Sequence, residues 1–134
     1  TQAQTIPQPF ANNYTLVEIG PAPGIPGNYG AVAFAAGDTD ALYLGGQAAT
    51  AAGAVYRAPI QRDAQGRIVG YAGTATRFAD APQVDGGLQF TANGAMLFTR
   101  YRPNELGQVA PGSTTMTKSV PLGPLGVLRS VGGC

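Results

Sequence analysis

Glycine and proline interrupt this chain so often that no long helix fits into it. The 134 residues include 20 Gly and 11 Pro, and no segment of about eleven residues keeps apolar side chains at helical spacing without meeting one of them. Short apolar runs bounded by Gly, Pro, Asn and Asp are typical of strands. We therefore predict an all-β fold, with strands at residues 14–19, 31–35, 41–44, 54–60, 67–72, 87–91, 95–100 and 119–122.

Two short clusters predict hairpin turns between neighbouring strands. Residues 63–66, Asp-Ala-Gln-Gly, separate two apolar runs, and here Asp favours turn initiation while Gly adopts positive φ. Asn93 and Gly94 separate the next pair of runs and favour a type I′ turn. Strands that are adjacent in sequence are therefore expected to pair in antiparallel fashion.

The chain also contains an internal repeat. The segments "GAVAFAAGDTDALYLGG" and "GLQFTANGAMLFTRY" share an initial Gly, a Phe soon after it, a turn containing Gly and an apolar triplet. Phe34 and Phe90 are 56 residues apart, and the two triplets are 54 apart. We predict two units of blade-like antiparallel strands, at 30–86 and 87–132, in one folded unit that reaches residue 134. An N-terminal strand and a Pro/Gly-rich connection occupy 1–29.

Three segments carry a resemblance to a known family: "NYGAVAFAAGDTDALYLGG", "VYRAPIQRDAQGRIVGYAG" and "VDGGLQFTANGAMLFTRYRPNELGQ". They resemble blades of secreted bacterial β-propellers with NHL-type and gluconolactonase-like repeats, and especially uncharacterised exported proteins that carry a PEP-CTERM sorting tail. The resemblance covers residues 28–134. It implies four-stranded antiparallel blades stacked around a channel.

The number of blades leaves several architectures open. Such propellers typically have about five to eight blades, whereas this sequence accounts for about two. Exposed sheet faces and edges would need a cover. Self-association of several chains into one homo-oligomeric ring is the interpretation we favour. The alternatives are a truncated fragment of a longer propeller and a small β-sandwich or barrel built from the same strands.

The charge balance disfavours nucleic acid as a partner. Eight Lys and Arg nearly balance seven Asp and Glu, so we expect no basic face that attracts nucleic acid or anionic lipid. Only 11% of the residues are charged, which suits a protein secreted to the exterior of a bacterial cell. No run of about 18 apolar residues occurs, so we predict no membrane span.

Several catalytic classes lack their essential residues in this sequence. It contains no His, which excludes Ser-His-Asp and Cys-His sites, and no Ser stands in a G-x-S-x-G motif. The soft ligands that zinc prefers reduce to Cys134. This lone Cys cannot form an internal disulfide, and we interpret it as a free thiol; an intermolecular disulfide and an altered chain end are the alternatives.

The densest polar and aromatic cluster, at residues 100–105, is the candidate ligand-binding segment. Its members can stack on and hydrogen-bond a carbohydrate or another small molecule. They are Arg100, Tyr101, Arg102, Asn104 and Glu105. A solvated loop at the end of a strand is the alternative interpretation.

Asp85 is the candidate metal ligand. The resemblance implies this role, because gluconolactonase-like propellers place metal-binding carboxylates at blade starts, and calcium is the ion considered there. We favour a turn-capping role for Asp85 and otherwise expect no cofactor. Asp38 and Asp40 resemble the start of a calcium loop, but Leu42 stands where a further oxygen ligand is needed, so a turn with Asx hydrogen bonds is favoured.

Two classes of function follow from these observations. The first is an extracellular β-rich binding or structural module without catalytic activity, whose ligand contacts come from loops and aromatic residues. The second, implied by the resemblance, is a metal-assisted lactonase-like or esterase-like propeller. A truncated propeller without independent function is the third alternative.

Overall fold

Strands and tight turns form the regular structure of the chain, so the predicted all-β class is confirmed. The computed structural model describes residues 4–128; Cys134 lies outside them. Two 3-10 turns occur in this range, at Phe10–Asn12 and Gly123–Leu125. Its strands are β1 (Ala31–Ala35), β2 (Asp38–Gly46), β3 (Ala54–Arg62), β4 (Ile68–Tyr71), β5 (Thr76–Asp80), β6 (Val84–Phe90), β7 (Met96–Arg100), β8 (Glu105–Val109) and β9 (Lys118–Pro121).

The first sheet is antiparallel and has the order β1-β2-β3-β4, with β5 also paired to β3. The first half of β3 pairs with β5, where Ala54 lies opposite Asp80. The second half pairs with β4, where Ile60 lies opposite Tyr71. The strands β4 and β5 therefore act together as one interrupted outer strand.

The second sheet is a simple antiparallel meander in the order β6-β7-β8-β9. Its strands are neighbours both in sequence and in space, because antiparallel strands can be joined directly by short connections. At the Asn93–Gly94 turn, Gly94 has a φ of +89° but Asn93 does not have a positive φ. The predicted type I′ turn is therefore wrong, because that turn needs positive φ at both central residues.

The registers of the two sheets correspond pair by pair. Val32 pairs with Leu44 in the first sheet as Leu88 pairs with Phe98 in the second. These pairs reproduce the spacings of 56 and 54 residues found in the sequence. The correspondence continues outward, with β3 equivalent to β8 and β5 equivalent to β9. The extra strand β4 belongs to the first sheet alone.

Three predicted strand assignments need correction. Residues 14–19 form no strand, because their backbone pairs with no other strand in the described chain. The fourth strand of the first unit was placed at 67–72, but β5 is the strand equivalent to β9, and β5 was not predicted. Strand β8 was also not predicted, since its sequence, Glu-Leu-Gly-Gln-Val, lacks a clear apolar alternation.

The main core lies between the two sheets. Each sheet turns one face toward the other, and β1 lies against β6. Three rings meet at the centre: Tyr43 and Phe90 have centroids 4.8 Å apart, and Phe78 packs edge-on against both. Gly30, the residue before β1, allows β6 to lie close, since a Cβ there would lie 2.4 Å from that of Ala48 and 3.2 Å from the Asp85 carbonyl oxygen.

Neither sheet closes on itself within residues 4–128. The strands β1, β4 and β5 remain edges of the first sheet, and β6 and β9 remain edges of the second. The barrel alternative is therefore wrong for this part of the chain. What remains is a pair of packed antiparallel sheets, each with a second face directed away from the main core.

Candidate functional site

The outward face of the first sheet carries an uncovered apolar surface. Side chains alternate along a strand, so β1 turns Ala31 toward the core and Val32 and Phe34 away from it. Val32 is 58% exposed and Phe34 is 46% exposed. Leu42 and Leu44 lie beside them on β2 and are half-buried. We call Val32, Phe34, Leu42 and Leu44 the open face.

The open face repeats positions that form the core of the second sheet. Leu88, Phe90, Met96 and Phe98 occupy the equivalent positions there and are all buried against the first sheet. The same pattern of large apolar side chains is therefore used twice, once with a neighbouring sheet and once without one. An exposed apolar patch of this kind is typical of an interaction site.

A groove of about 480 Å³ runs along the open face. Its walls are mainly apolar and include Ile19, Tyr29, Val32, Leu42, Leu44 and Tyr71. The Tyr29 hydroxyl accepts a hydrogen bond of 3.0 Å from the Ala22 backbone N–H. Burial raises the pKa of Tyr71, so its phenol is neutral at physiological pH. The groove therefore has mainly apolar walls and a neutral phenol at Tyr71.

Part of the same sheet face is already covered by the chain itself. Ala22 and Ile25 pack on Tyr56 and Ala58 of β3 and form a second, smaller core. The Ala75 N–H donates to the Pro23 carbonyl at 2.7 Å and fixes this covering segment in place. The cover is partial: Leu44 packs against this smaller core, whereas Val32 and Phe34 remain exposed.

Two members of the predicted ligand-binding segment are engaged in an internal polar network. The Arg100 guanidinium pairs with the Glu105 carboxylate, and these side chains are only 12% and 23% exposed. Arg100 also donates to the Pro82 carbonyl at 3.0 Å and to Gln83 Oε1 at 2.8 Å. These contacts tie β7 to the connection that precedes β6, so Arg100 has a clear structural role.

The other three members lie in the turn that joins β7 to β8. Tyr101 is 42% exposed, and the Arg102 guanidinium stands 5.7 Å from the centre of its ring. Asn104 Nδ2 donates to the Val127 carbonyl at 2.7 Å, while Asn104 Oδ1 is buried without a hydrogen-bond partner. The five predicted residues therefore lie close together, but they differ in accessibility. Arg100 and Glu105 are engaged in internal contacts, whereas Tyr101 and Arg102 are exposed.

The carboxylates behave mainly as parts of turns and ion pairs. Asp38 Oδ1 accepts the Asp40 N–H at 3.2 Å, which confirms the expected Asx turn. Asp38 also accepts bonds from the Tyr43 hydroxyl and from Arg57. Asp85 is half-buried in β6, at a register irregularity. Residues 4–128 bring together no group of three or more carboxylate or thiol side chains able to hold a metal, and Asp85 stays a predicted ligand.

Comparison of this chain with protein-family models, curated proteins and solved structures finds no match. The site must therefore be judged from its own chemistry. The described residues also contain no helix long and apolar enough to cross a membrane. Within this part of the chain, the open face offers aliphatic and aromatic side chains, whose chemistry is that of packing.

The open face was not among the predicted site residues. Its members are ordinary strand residues, and a single strand pattern does not say which of its two faces has a neighbour. The sequence repeat contains the missing information, because it aligns Phe34 with Phe90. Once the second copy of the pattern is seen to be buried, the first copy stands out as lacking a partner.

Proposed function

We propose that this chain is a β-rich structural or binding module without catalytic activity, and that it acts through the open face. One observation carries the proposal: Val32 and Phe34 are exposed, whereas the equivalent Leu88 and Phe90 are buried. Burying large apolar side chains is the dominant favourable contribution to association. Apolar side chains that are exposed at positions equivalent to core positions are therefore best explained as a surface that a partner covers.

The two sheets are, in this proposal, consecutive blades of a propeller-like architecture. Each contains four antiparallel strands in sequence order when β4 and β5 are taken as one outer strand. The innermost strands, β1 and β6, lie side by side. This arrangement agrees with radial stacking of four-stranded blades. The low charge of the chain agrees with an extracellular setting.

A fluorescent probe of exposed apolar surface tests the proposal. The folded protein at low concentration should bind anilinonaphthalene sulfonate, and the double variant Val32→Ser/Phe34→Ser should lose this binding without unfolding. The matched control is Phe10→Ser/Leu125→Ser, which removes two side chains that are at least as exposed but lie outside the open face. The control should keep the fluorescence of the parent.

Two results would contradict the proposal. If the folded parent binds no dye, the open face is already covered and cannot serve as a binding surface. If Val32→Ser/Phe34→Ser unfolds the chain, as a core substitution does, these side chains belong to the folding core. Urea unfolding followed by circular dichroism separates the second result from a specific loss of dye binding.

A further inference from the structure

The contact between the two sheets joins two different kinds of face. The second sheet contributes the face that carries Leu88, Phe90 and Phe98, which is equivalent to the open face. The first sheet contributes its opposite face, where Tyr43 and Val55 are buried. At the centre, the Phe90 ring of one face lies against the Tyr43 ring of the other. The intramolecular packing is therefore head to tail between repeats.

Each sheet has both kinds of face, so the pair of sheets formed by residues 4–128 leaves one face unused on each side. The first sheet leaves the open face. The second sheet leaves the face that is equivalent to the Tyr43 side, which we call the outer face. Register assigns Leu97 to the position of Tyr43 and Leu106 to that of Val55. The outer face consists of Gln89, Leu97, Leu106, Gln108, Val120 and Lys118, the last of which lies opposite Gln108.

We propose that the open face of one copy of this chain binds the outer face of a second copy, head to tail. The inference rests on the proposed function and names the partner of the open face. Phe34 of one copy then takes the place against Leu97 of the next copy that Phe90 takes against Tyr43 within the chain. The new contact repeats the intramolecular one and requires no new type of interface.

The outer face is suited to this role by its composition. Leu97, Leu106 and Val120 are half-buried, Gln108 is half-buried and Gln89 is exposed. Five of the six side chains of the outer face are uncharged. The sixth, Lys118, is exposed at the first position of β9, so its ammonium group can stay in solvent when an apolar surface docks beside it. The open face has no charged member, and Arg62 at its rim stands 5.9 Å from the Phe34 ring.

Head-to-tail binding has a definite consequence for assembly. Because the two faces differ, an open pair still exposes one face of each kind, and growth continues until a ring closes. A closed ring contains an even number of sheets, since each chain supplies two. Propellers have about four to eight blades, so closure corresponds to two, three or four copies of the 13.6 kDa chain.

Two complementary variants test the inference through their mass in solution. In Phe34→Asp the open face is lost and the outer face stays intact; in Leu97→Asp the reverse holds. Light scattering should find the parent as a defined oligomer and each variant alone as a monomer, with association weakened by more than about tenfold. An equal mixture should form a heterodimer of twice 13.6 kDa, because one intact pair of faces remains.

The mixture distinguishes this interface from a symmetric one. If the open face instead binds a second open face, Leu97→Asp alone still dimerises and the mixture forms no heterodimer, which overturns the inference. The double variant Gln89→Glu/Gln108→Glu replaces Leu97→Asp if the latter fails to fold. A parent that stays monomeric at every concentration also overturns it. If that monomer still binds the dye at Val32 and Phe34, the proposed function survives; if it does not, both fail.

Discussion

Phe34 and Phe90 occupy equivalent positions in the two sheets, yet Phe34 is 46% exposed and Phe90 is 7% exposed. The difference arises from the neighbours of the two rings, since the strand pairs beside them, Val32–Leu44 and Leu88–Phe98, are equivalent and both side chains are aromatic. Phe90 packs against Tyr43 and Phe78 of the first sheet. The open face has no corresponding sheet beside it within the described chain.

The same substitution should lower the free energy of unfolding strongly at Phe90 and hardly at all at Phe34. Phe90→Ser removes a buried ring from the core between the sheets and should lower the free energy of unfolding by about 3–5 kcal/mol. Phe34→Ser removes a half-exposed ring and should change it by about 0.5 kcal/mol or less. Urea unfolding at low protein concentration measures both. Equal losses would show that the open face is part of the monomer core.

Gly107 should not tolerate even a methyl group. A Cβ at this position would lie 2.5–2.9 Å from the Phe98 ring, which fills the space above the strand. We expect Gly107→Ala to lower the free energy of unfolding by about 1–3 kcal/mol through overpacking. The control is Gly70→Ala in β4, where the nearest atom, Gln61 Oε1, is 3.8 Å away. Thermal unfolding of both variants checks this.

A second substitution tests the cause assigned to Gly107. Phe98→Leu in the Gly107→Ala background should recover part of the lost stability, since the smaller side chain vacates the space that the new methyl needs. The first sheet already solves the problem in this way, with Leu44 opposite Tyr56 at the equivalent pair. No recovery would mean that the loss comes from the backbone and not from the contact with Phe98.

Gly107 also explains why strand β8 was not predicted. Its segment contains a Gly and two polar residues, which argue against a strand when read alone. The position becomes favourable only when Phe98 lies across it, and that contact depends on the pairing of β7 with β8. Residues 14–19 illustrate the reverse case: their strand-like pattern stays unpaired, although Leu16 and Val17 line a pocket together with Val69 of the edge strand β4.

The repeat, in contrast, could be predicted from the sequence. The repeat is visible because equivalent strand pairs recur, with offsets of 56 residues before the hairpin turn and 54 after it. The sequence does not predict which copy has a neighbouring sheet, since Val32 and Leu88 are both apolar residues at equivalent strand positions. The Asp38–Arg57 pair was also hidden, because β2 and β3 must align before residues that are 19 apart can meet.

Arg100 should matter for folding more than Arg102, although both lie in the predicted ligand-binding segment. Arg100→Met leaves the Glu105 carboxylate and the Pro82 carbonyl without their partner and should lower the free energy of unfolding by about 3 kcal/mol. Arg102→Met should change it by about 0.5 kcal/mol or less. The double variant Arg100→Met/Glu105→Leu should recover part of the loss, because it removes the unpaired charge. Equal effects of the two single variants would refute this role.

Asp38 should give the protein a stability that depends on acid pH. Its hydrogen bonds from Arg57 lower the pKa of the carboxyl below its ordinary value of 3.8, with N–O distances of 2.7 and 3.1 Å. A lowered pKa means that the folded state favours the ionised form, so the stabilisation is fully present above pH 3.8 and is lost as the pH falls through the lower, folded-state pKa. The Tyr43 hydroxyl, which donates to the same carboxylate at 2.8 Å, strengthens the preference.

The variant Asp38→Asn isolates this contribution. At neutral pH it should be less stable than the parent by about 1–2 kcal/mol, because a charge-assisted bond to Arg57 is replaced by a weaker neutral one. Below the ordinary pKa of Asp38, the free energies of unfolding of the parent and of Asp38→Asn should converge.

Asp63 also has a lowered pKa, but its contribution is the same in the parent and in Asp38→Asn, so it cancels when the two free energies of unfolding are subtracted. Asp40→Asn, two residues away and outside the bonds to Arg57, is the control and should run parallel to the parent. A constant gap between parent and Asp38→Asn from neutral to acid pH would contradict the assignment, since it would show that the stability of the pair does not depend on the ionisation of Asp38.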